Sequence, residues 1–327
     1  MFFISRFKDV ERREYECEVV TPLFLGGADP KKAELRAPPV KAAMRYWWRA
    51  LYDGSDVKTM ANDEAAIFGS TDRKAVVSVN LDIQNVKATP ESLPSGKMVP
   101  VEGKSYKTSI INYLSYGLFE YKSDVKKNVY TKEHIEPNAR FKIIVSFPRT
   151  VEADIIKALK AMISFGGLGA RTRNGFGSLH CDELMDHNFK KDGPLKSFTA
   201  FSEGARLFNQ FHVHKTWHDA LSEIGEVYRQ ARLNLEGKQH EWTKRALIAM
   251  PIEAKNEKIP THISSGRHAK PYFLHVNKTD GKYRGQILFL PYLYKAGPKD
   301  TTNRLREYEE ACKKMNEEIT KGMGGAK

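Results

Sequence analysis

Residues 166–177 read GGLGARTRNGFG. Five of these twelve positions are glycine, two are arginine, and the bulky side chains are Leu168 and Phe176. What surrounds the stretch decides how it is read. Before it, VEADIIKALKAMISF (151–165) sets Ile155, Leu159 and Met162 on one face of an amphipathic helix. After it, SLHCDEL (178–184) reads as a strand. A dinucleotide fingerprint needs GxGxxG after a strand and before a helix, which is the reverse order, and no GxxxxGK[ST] run exists for a phosphate-binding loop. Neither nucleotide fold is supported. What remains is backbone approach: glycine accepts positive φ and lets a large object come close to the main chain, and exposed N–H groups in such a turn cradle anions. Arg171 and Arg173 can reach phosphates, and Asn174 a sugar or base edge. Phe176 can stack on a base or fill the core; the residues alone leave both open.

Working outward, YECEVV (15–20), AVVSVNLDIQNV (75–86) and RFKIIVSFP (140–148) read as strands. A helix starts at Pro38-Pro39, runs through VKAAMRYWWRALYD and stops at Gly54. Residues 88–104 read as a loop, and 106–121 as an ambiguous stretch that includes a short helix. The first half therefore reads β-α-β-insert-β-α-β. That is the order of a ferredoxin-like, RRM-like sheet with two helices on one face. In the second half, Trp217, Leu221, Ile224, Tyr228, Ala231 and Leu235 recur at helical spacing. Residues 245–254, 272–277 and 284–294 read as strands, the last two joined at Asp280-Gly281. Leu305, Tyr308, Cys312, Met315 and Ile319 form one apolar seam on a final charged helix, packed on its own domain or on a partner. The expected fold is α+β: two tandem ferredoxin-like domains with antiparallel sheets, 1–195 and 196–327, divided at the polar stretch near 190–200.

The chain has 327 residues, 41% hydrophobic and 28% charged, which suits a globular protein of about two domains. No apolar run approaches the ~18 residues of a membrane span, and MFFISRFKDVERREYE is no secretory signal. A cytoplasmic protein without membrane partners is expected. Cys17, Cys181 and Cys312 are far apart and odd in number, as expected of reduced thiols rather than a disulfide framework or zinc site. Net charge is +13, 53 Lys+Arg against 40 Asp+Glu, spread along the chain. A folded basic protein of this kind meets a polyanion, most often nucleic acid.

In the helix over 39–52, Val40, Met44, Trp47 and Leu51 share a core-facing stripe. Lys41, Arg45 and Arg49 fall at i, i+4, i+8 on a neighbouring face, flanked by Trp48 and Tyr52. Three like charges in line cost helix stability, and no acid precedes Asp53 within the helix. A polyanion would offset them, as would solvent or a salt bridge from another segment such as Glu34.

VVTPLFLGGADPKKAELRAPPVKAAMRYWWRAL and GGLGARTRNGFGSL together resemble the RAMP superfamily of CRISPR-associated proteins, in particular those of the type III-B (Cmr) effector complex. The matching stretches cover 19–52 and 166–179; RHAKPYFLHVNKTDGKYRGQILFLPYL resembles the family's late hairpin more weakly. The resemblance implies a non-catalytic RNA-binding subunit, with CRISPR RNA, single-stranded target RNA and other Cmr subunits as partners. It would act near the guide's 3′ region in recognition of foreign RNA. It implies that Lys41, Arg45, Arg49, Arg171 and Arg173 line the RNA path, and that Gly167, Gly169, Gly175 and Gly177 shape the loop. Ala42 stands where a glycine is frequent, and Asn174 where a basic residue is often seen, which weakens the expected grip on phosphate.

Some RAMP proteins are metal-independent ribonucleases that use a histidine near the first helix. Here no histidine precedes His134, which argues against catalysis. His212, His214 and His218 lack an HExxH pattern or a third ligand in register, so neither metal nor cofactor is expected. THISSGRHAK (261–270) offers His262, Arg267, His268 and Lys270 as an RNA-contacting loop or a cryptic nuclease site. The alternatives to the RNA-binding subunit are a CRISPR-RNA-processing endoribonuclease and a scaffold that binds only protein.

Overall fold

The computed structural model describes residues 9–83, 86–101, 105–125, 127–188, 193–236, 242–252, 258–294 and 303–324. The chain divides into two compact units. The first comprises Met1–Pro94, Leu114–Phe189 and His275–Gly281; the second comprises Ser95–Tyr113, Lys190–Leu274 and Lys282–Lys327. The expected single cut at 195/196 is therefore not how the chain is partitioned. Residues 95–113 join the second unit, where Lys97 N–H donates to Ser222 Oγ and Arg229 donates to the Pro100 carbonyl at 2.7 Å. Residues 275–281 join the first, where Val276 N–H donates to Ser178 Oγ and Lys278 pairs with Glu18. The stretch expected as boundary includes 190–192, outside the described residues.

The first unit is built on β1 (Val10–Val19), α1 (Ala37–Ala50), α2 (Val57–Phe68), β2 (Ser78–Ile83), β3 (Arg140–Pro148), α3 (Glu152–Phe165) and β4 (Leu179–His180). The sheet order is β4-β1-β3-β2, antiparallel throughout. The strand over 140–148 stands where the alternation puts it, because Phe141, Ile143, Val145 and Phe147 all bury on one face. Tyr15, Cys17 and Val19 of β1 bury on the same face, which α1 and α3 cover. Val40, Met44 and Trp47 of α1 are almost wholly buried, Trp47 against Phe165 of α3. Each such burial stabilises by about 1.5–3 kcal/mol. The expected strand over 178–184 shortens to two residues, followed by a 3-10 turn over Asp182–Leu184.

α2 falls outside the elements expected from the sequence. Asp56 caps it, accepting from Thr59 N–H at 2.7 Å, and Met60, Glu64, Ile67 and Phe68 face inward.

In the second unit, β5 (Arg206–Phe208) and β6 (Val213–His214) both pair with β8 (Lys282–Phe289). The registers Arg206↔Phe289 and Val213↔Arg284 differ by two residues. Thus β5 and β6 are two halves of one strand interrupted by an irregular stretch. β7 (Tyr272–Thr279), of which Tyr272–Leu274 belong to this unit, pairs with β8 and is joined to it through Asp280-Gly281. Both turn residues have positive φ, as a two-residue hairpin turn requires. α4 (Trp217–Leu233), α5 (Thr243–Ile248) and α6 (Asn303–Gly324) complete this unit. α5 corrects an expected strand: Ala246, Leu247 and Ile248 are buried, and a short apolar run carries no period that separates buried helix from buried strand. The seam of α6 closes on its own unit, with Tyr308, Cys312, Met315 and Ile319 buried and Gly322 against Val227 of α4.

Candidate nucleic-acid interface

The glycine-rich loop follows α3 and enters β4. Its glycines serve contact between backbones inside the protein. Gly169 has φ +86, and a Cβ there would stand 2.3 Å from the Phe24 carbonyl oxygen. Gly177 has φ +66, and its Cβ would stand 2.0 Å from the Leu168 oxygen. The N–H groups expected to cradle an anion are largely consumed. Gly177 N–H donates to Pro22 O, Ala170 N–H to Phe24 O, and Gly175 N–H to Thr172 O. Leu168 N–H donates back to Gly177 O at 3.0 Å, while Thr21 Oγ1 and Ser178 Oγ donate to Gly175 O. The loop is thus sewn to the segment 21–25. Gly167 joins this packing, a Cβ there lying 2.5 Å from Gly177 O.

Phe176 is completely buried, edge-on to Phe24 at 5.7 Å. Its expected role in base stacking is corrected: it is core. Asn174 Nδ2 donates to the Leu114 carbonyl at 2.6 Å, so its amide anchors the loop and does not read a base. Arg173 lies over the Tyr46 ring at 5.5 Å and donates to its hydroxyl at 3.2 Å, which sets the loop beside α1.

Arg171 behaves otherwise. It has φ +62, a left-handed conformation that an arginine adopts at a cost. The residue is exposed, and among the described residues its guanidinium has no hydrogen bond or ion pair. Crowding by protein lowers its pKa below the ordinary guanidinium value, yet an arginine keeps its charge throughout the accessible pH range.

On α1, Arg45 Nε and Arg49 Nη1 both donate to Glu64 Oε1, at 2.5 and 2.6 Å. The acid that offsets the cationic face comes from α2, whereas Glu34 lies by Arg36. Lys41 Nζ donates to the Val77 carbonyl at 3.3 Å; burial, then the Arg45 charge, lowers its pKa. Three cations against one carboxylate leave this face net positive, and Arg45 and Arg49 still show about a third of their side chains to solvent. Trp48, expected on the cationic face, is buried against Tyr52 and Phe68.

The stretch 261–270 does not form one binding loop. His268 Nε2 bonds the Leu247 carbonyl at 2.5 Å, its Nδ1 meets the Tyr292 hydroxyl, and its ring lies edge-on to Tyr294. Lys270 is buried, with Nζ 4.2 Å over the Tyr228 ring. Both hold the second unit together, and Arg267 alone of the three is exposed. His212 and His214 close on the two oxygens of Glu223, at 2.5 and 2.8 Å. Among the described residues no group of three His, Cys, Asp or Glu is arranged to hold a metal ion, and no helix is long and apolar enough to cross a membrane.

The open face of the first sheet is a second possible RNA surface, because RRM domains stack bases on aromatic residues there. Register places Arg12, Glu14, Glu16, Glu18, Arg140, Lys142, Ile144, Ser146, Ser78, Asn80 and Asp82 on it. Beside them stands His180, opposite Glu18, and the acids are met by bases, Arg12 on Glu14, Lys142 on Glu16 and Arg140 and Lys278 on Glu18, so the face offers a polyanion little net charge.

A family model described as the RAMP superfamily matches residues 16–180, which is 165 of the 327 residues. The chain belongs to the RAMP superfamily. Two relatives come from Pyrococcus furiosus. The CRISPR system Cmr subunit Cmr1-2 is 31% identical over 191 residues, 53% of this chain and 96% of the relative. Cmr1-1 is 28% identical over 196 residues, 58% of this chain and 53% of the relative. The crystal structure of Cmr1 from the same organism, in its apo form, matches with a TM-score of 0.52 at 18% identity, covering 94% of this chain and 96% of that one. This RAMP chain therefore shares the mixed α+β fold of that structure, antiparallel sheets with packed helices.

Proposed function

We propose that this RAMP protein is a subunit of a type III-B Cmr effector complex, and that it grips single-stranded RNA without cleaving it. Arg171 carries the reading: the loop's other arginine and its asparagine are bonded within the fold, whereas this arginine is exposed and held in a costly backbone conformation. The net positive face of α1, brought beside the loop by Arg173 on Tyr46, continues the surface. The RNA would run along the loop and α1, away from the open face of the sheet, whose acids and bases pair with one another. Contacts of this kind fall on phosphate and are indifferent to base identity. Arg267 is the remaining candidate contact on the second unit. The same reading takes the second unit as a divergent ferredoxin-like repeat, with β5/β6, α4, β7, β8 and α6 in the first five places of β-α-β-β-α-β. It also places the protein in the cytoplasm, with guide or target RNA and other Cmr subunits as partners.

A gel-shift titration with end-labelled single-stranded RNA at two salt concentrations tests this, with a denaturing gel of the same samples in EDTA. Salt-sensitive binding, intact RNA and weaker binding by Arg171→Ala are expected. Equal binding by wild type and Arg171→Ala would refute the assignment of the loop, and shortened RNA would convert the protein to a nuclease.

A further inference from the structure

Cys17 and Cys181 are 164 positions apart in sequence, and both are buried free thiols. The sheet brings them together. β1 and β4 pair as Glu18↔His180 and Val19↔Leu179, so one further step sets Cys17 opposite Cys181. Cys181 has φ −156 and ψ 114, which continues the strand past its last ladder residue. Val20 N–H donates to Ser178 O, which makes 20↔178 a hydrogen-bonded pair. Alternation along an antiparallel ladder then makes 19↔179 and 17↔181 non-hydrogen-bonded pairs. In such pairs the side chains point to the same face, with Cα atoms about 4.5 Å apart. That separation falls within the ~4.4–6.8 Å a disulfide spans. Each thiol shifts the ionisation of the other, as neighbouring groups do, while Cys17 Sγ donates to the Tyr15 carbonyl at 3.6 Å.

We propose that Cys17 and Cys181 form a reversible cross-strand disulfide, a redox clasp that fastens β4 to β1. Hydroperoxides are the oxidant class small enough to reach them. Cys181 reacts first. The neighbouring Cys17 thiol, then the N–H groups of Leu184 and Glu183, hold its pKa down, whereas the Cys181 thiol, then burial, pushes that of Cys17 up. The Cys181 thiolate attacks the peroxide oxygen and the O–O bond breaks, giving a sulfenic acid and one water after proton uptake. The Cys17 sulfur then displaces that hydroxyl, forms the S–S bond and releases a second water. Two thiols are oxidised and one hydrogen peroxide is reduced to two waters. Access comes through β4, a two-residue strand at the sheet edge and the kind of element that opens locally. The clasp fixes the strand into which the glycine-rich loop runs.

The experiment treats the full-length protein with hydrogen peroxide, then counts thiols in denaturant and maps peptides without reduction. The count is expected to fall from three to one, with a peptide containing Cys17 joined to one containing Cys181 and both freed by dithiothreitol. Cys312→Ser is expected to fall from two to none. The oxidised protein should also melt at a higher temperature than the reduced one. Three persistent thiols, a bridge that uses Cys312, or Cys181 overoxidised to sulfinate with Cys17 still free would each overturn the proposal.

Discussion

Gly177→Ala and Gly281→Ala form a matched pair that tests what the glycine-rich loop is for. The two glycines have nearly the same φ, +66 and +69, and both belong to the first unit. An added Cβ at Gly281 meets nothing within 4 Å, whereas at Gly177 it lies 2.0 Å from the Leu168 oxygen and 3.0 Å from its carbonyl carbon. The left-handed backbone costs each alanine about 1 kcal/mol. At Gly177 the obstruction is main chain and cannot rotate away. The loop must move by about an ångström, straining Leu168 N–H to Gly177 O and Gly177 N–H to Pro22 O, each worth about 1 kcal/mol. Losses of about 3 kcal/mol for Gly177→Ala and about 1 kcal/mol for Gly281→Ala follow. At about 2–4 °C per kcal/mol the melting temperatures should differ by roughly 4–8 °C. Urea unfolding followed by circular dichroism measures both. Equal losses would refute the claim that the loop's glycines exist for backbone packing, and would return them to ligand approach.

Arg171→Ala should leave the melting temperature nearly unchanged, since among the described residues the guanidinium makes no hydrogen bond or ion pair and gives up packing beside Gly117. It should flatten the log K against log salt slope by somewhat under one unit, as loss of one phosphate contact on a single strand does. Glu64→Gln should destabilise by about 1–3 kcal/mol, the lower end because both arginine partners are a third exposed. It should also tighten RNA binding by removing the carboxylate that competes for Arg45 and Arg49; unchanged or weaker binding would show that α1 lies off the RNA path. His275 is buried, with Nδ1–H donating to the Gly166 carbonyl, and burial pulls its pKa from 6.5 down to about 4. The unfolded chain then binds the proton more readily than the folded one. The contribution of this group is complete above pH 6.5, declines as pH falls toward 4 and is exhausted below that, about 3 kcal/mol in all. His275→Asn should flatten that part of the pH–stability curve in urea titrations, and an unaltered curve would rule His275 out as its source.

The periodicities of 140–148 and 151–165 fix a strand and a helix because alternation and a 3.6-residue stripe are local properties of the chain. They locate the glycine-rich loop between them, and with it the reversed order that excludes the nucleotide folds. The charge of +13 and the two RAMP-like stretches likewise need no third dimension. The fate of each polar side chain does need it. Glu64 is 15 and 19 residues from the arginines it neutralises, on a helix whose cue was Asp56 ahead of Met60, Ile67 and Phe68. Nothing local separates Arg173, spent on Tyr46, from Arg171, which faces solvent, or a stacking Phe176 from a core one. Lys270 and His268 look like a surface loop in sequence, yet they sit against Tyr228 and Tyr294. Cys17 and Cys181 become neighbours only through the register of β1 and β4. The sequence by itself determined which residues carry charge and which segments have the period of a helix or a strand. The tertiary structure decided which charges remain unspent, because pairing depends on contacts between residues far apart in the chain.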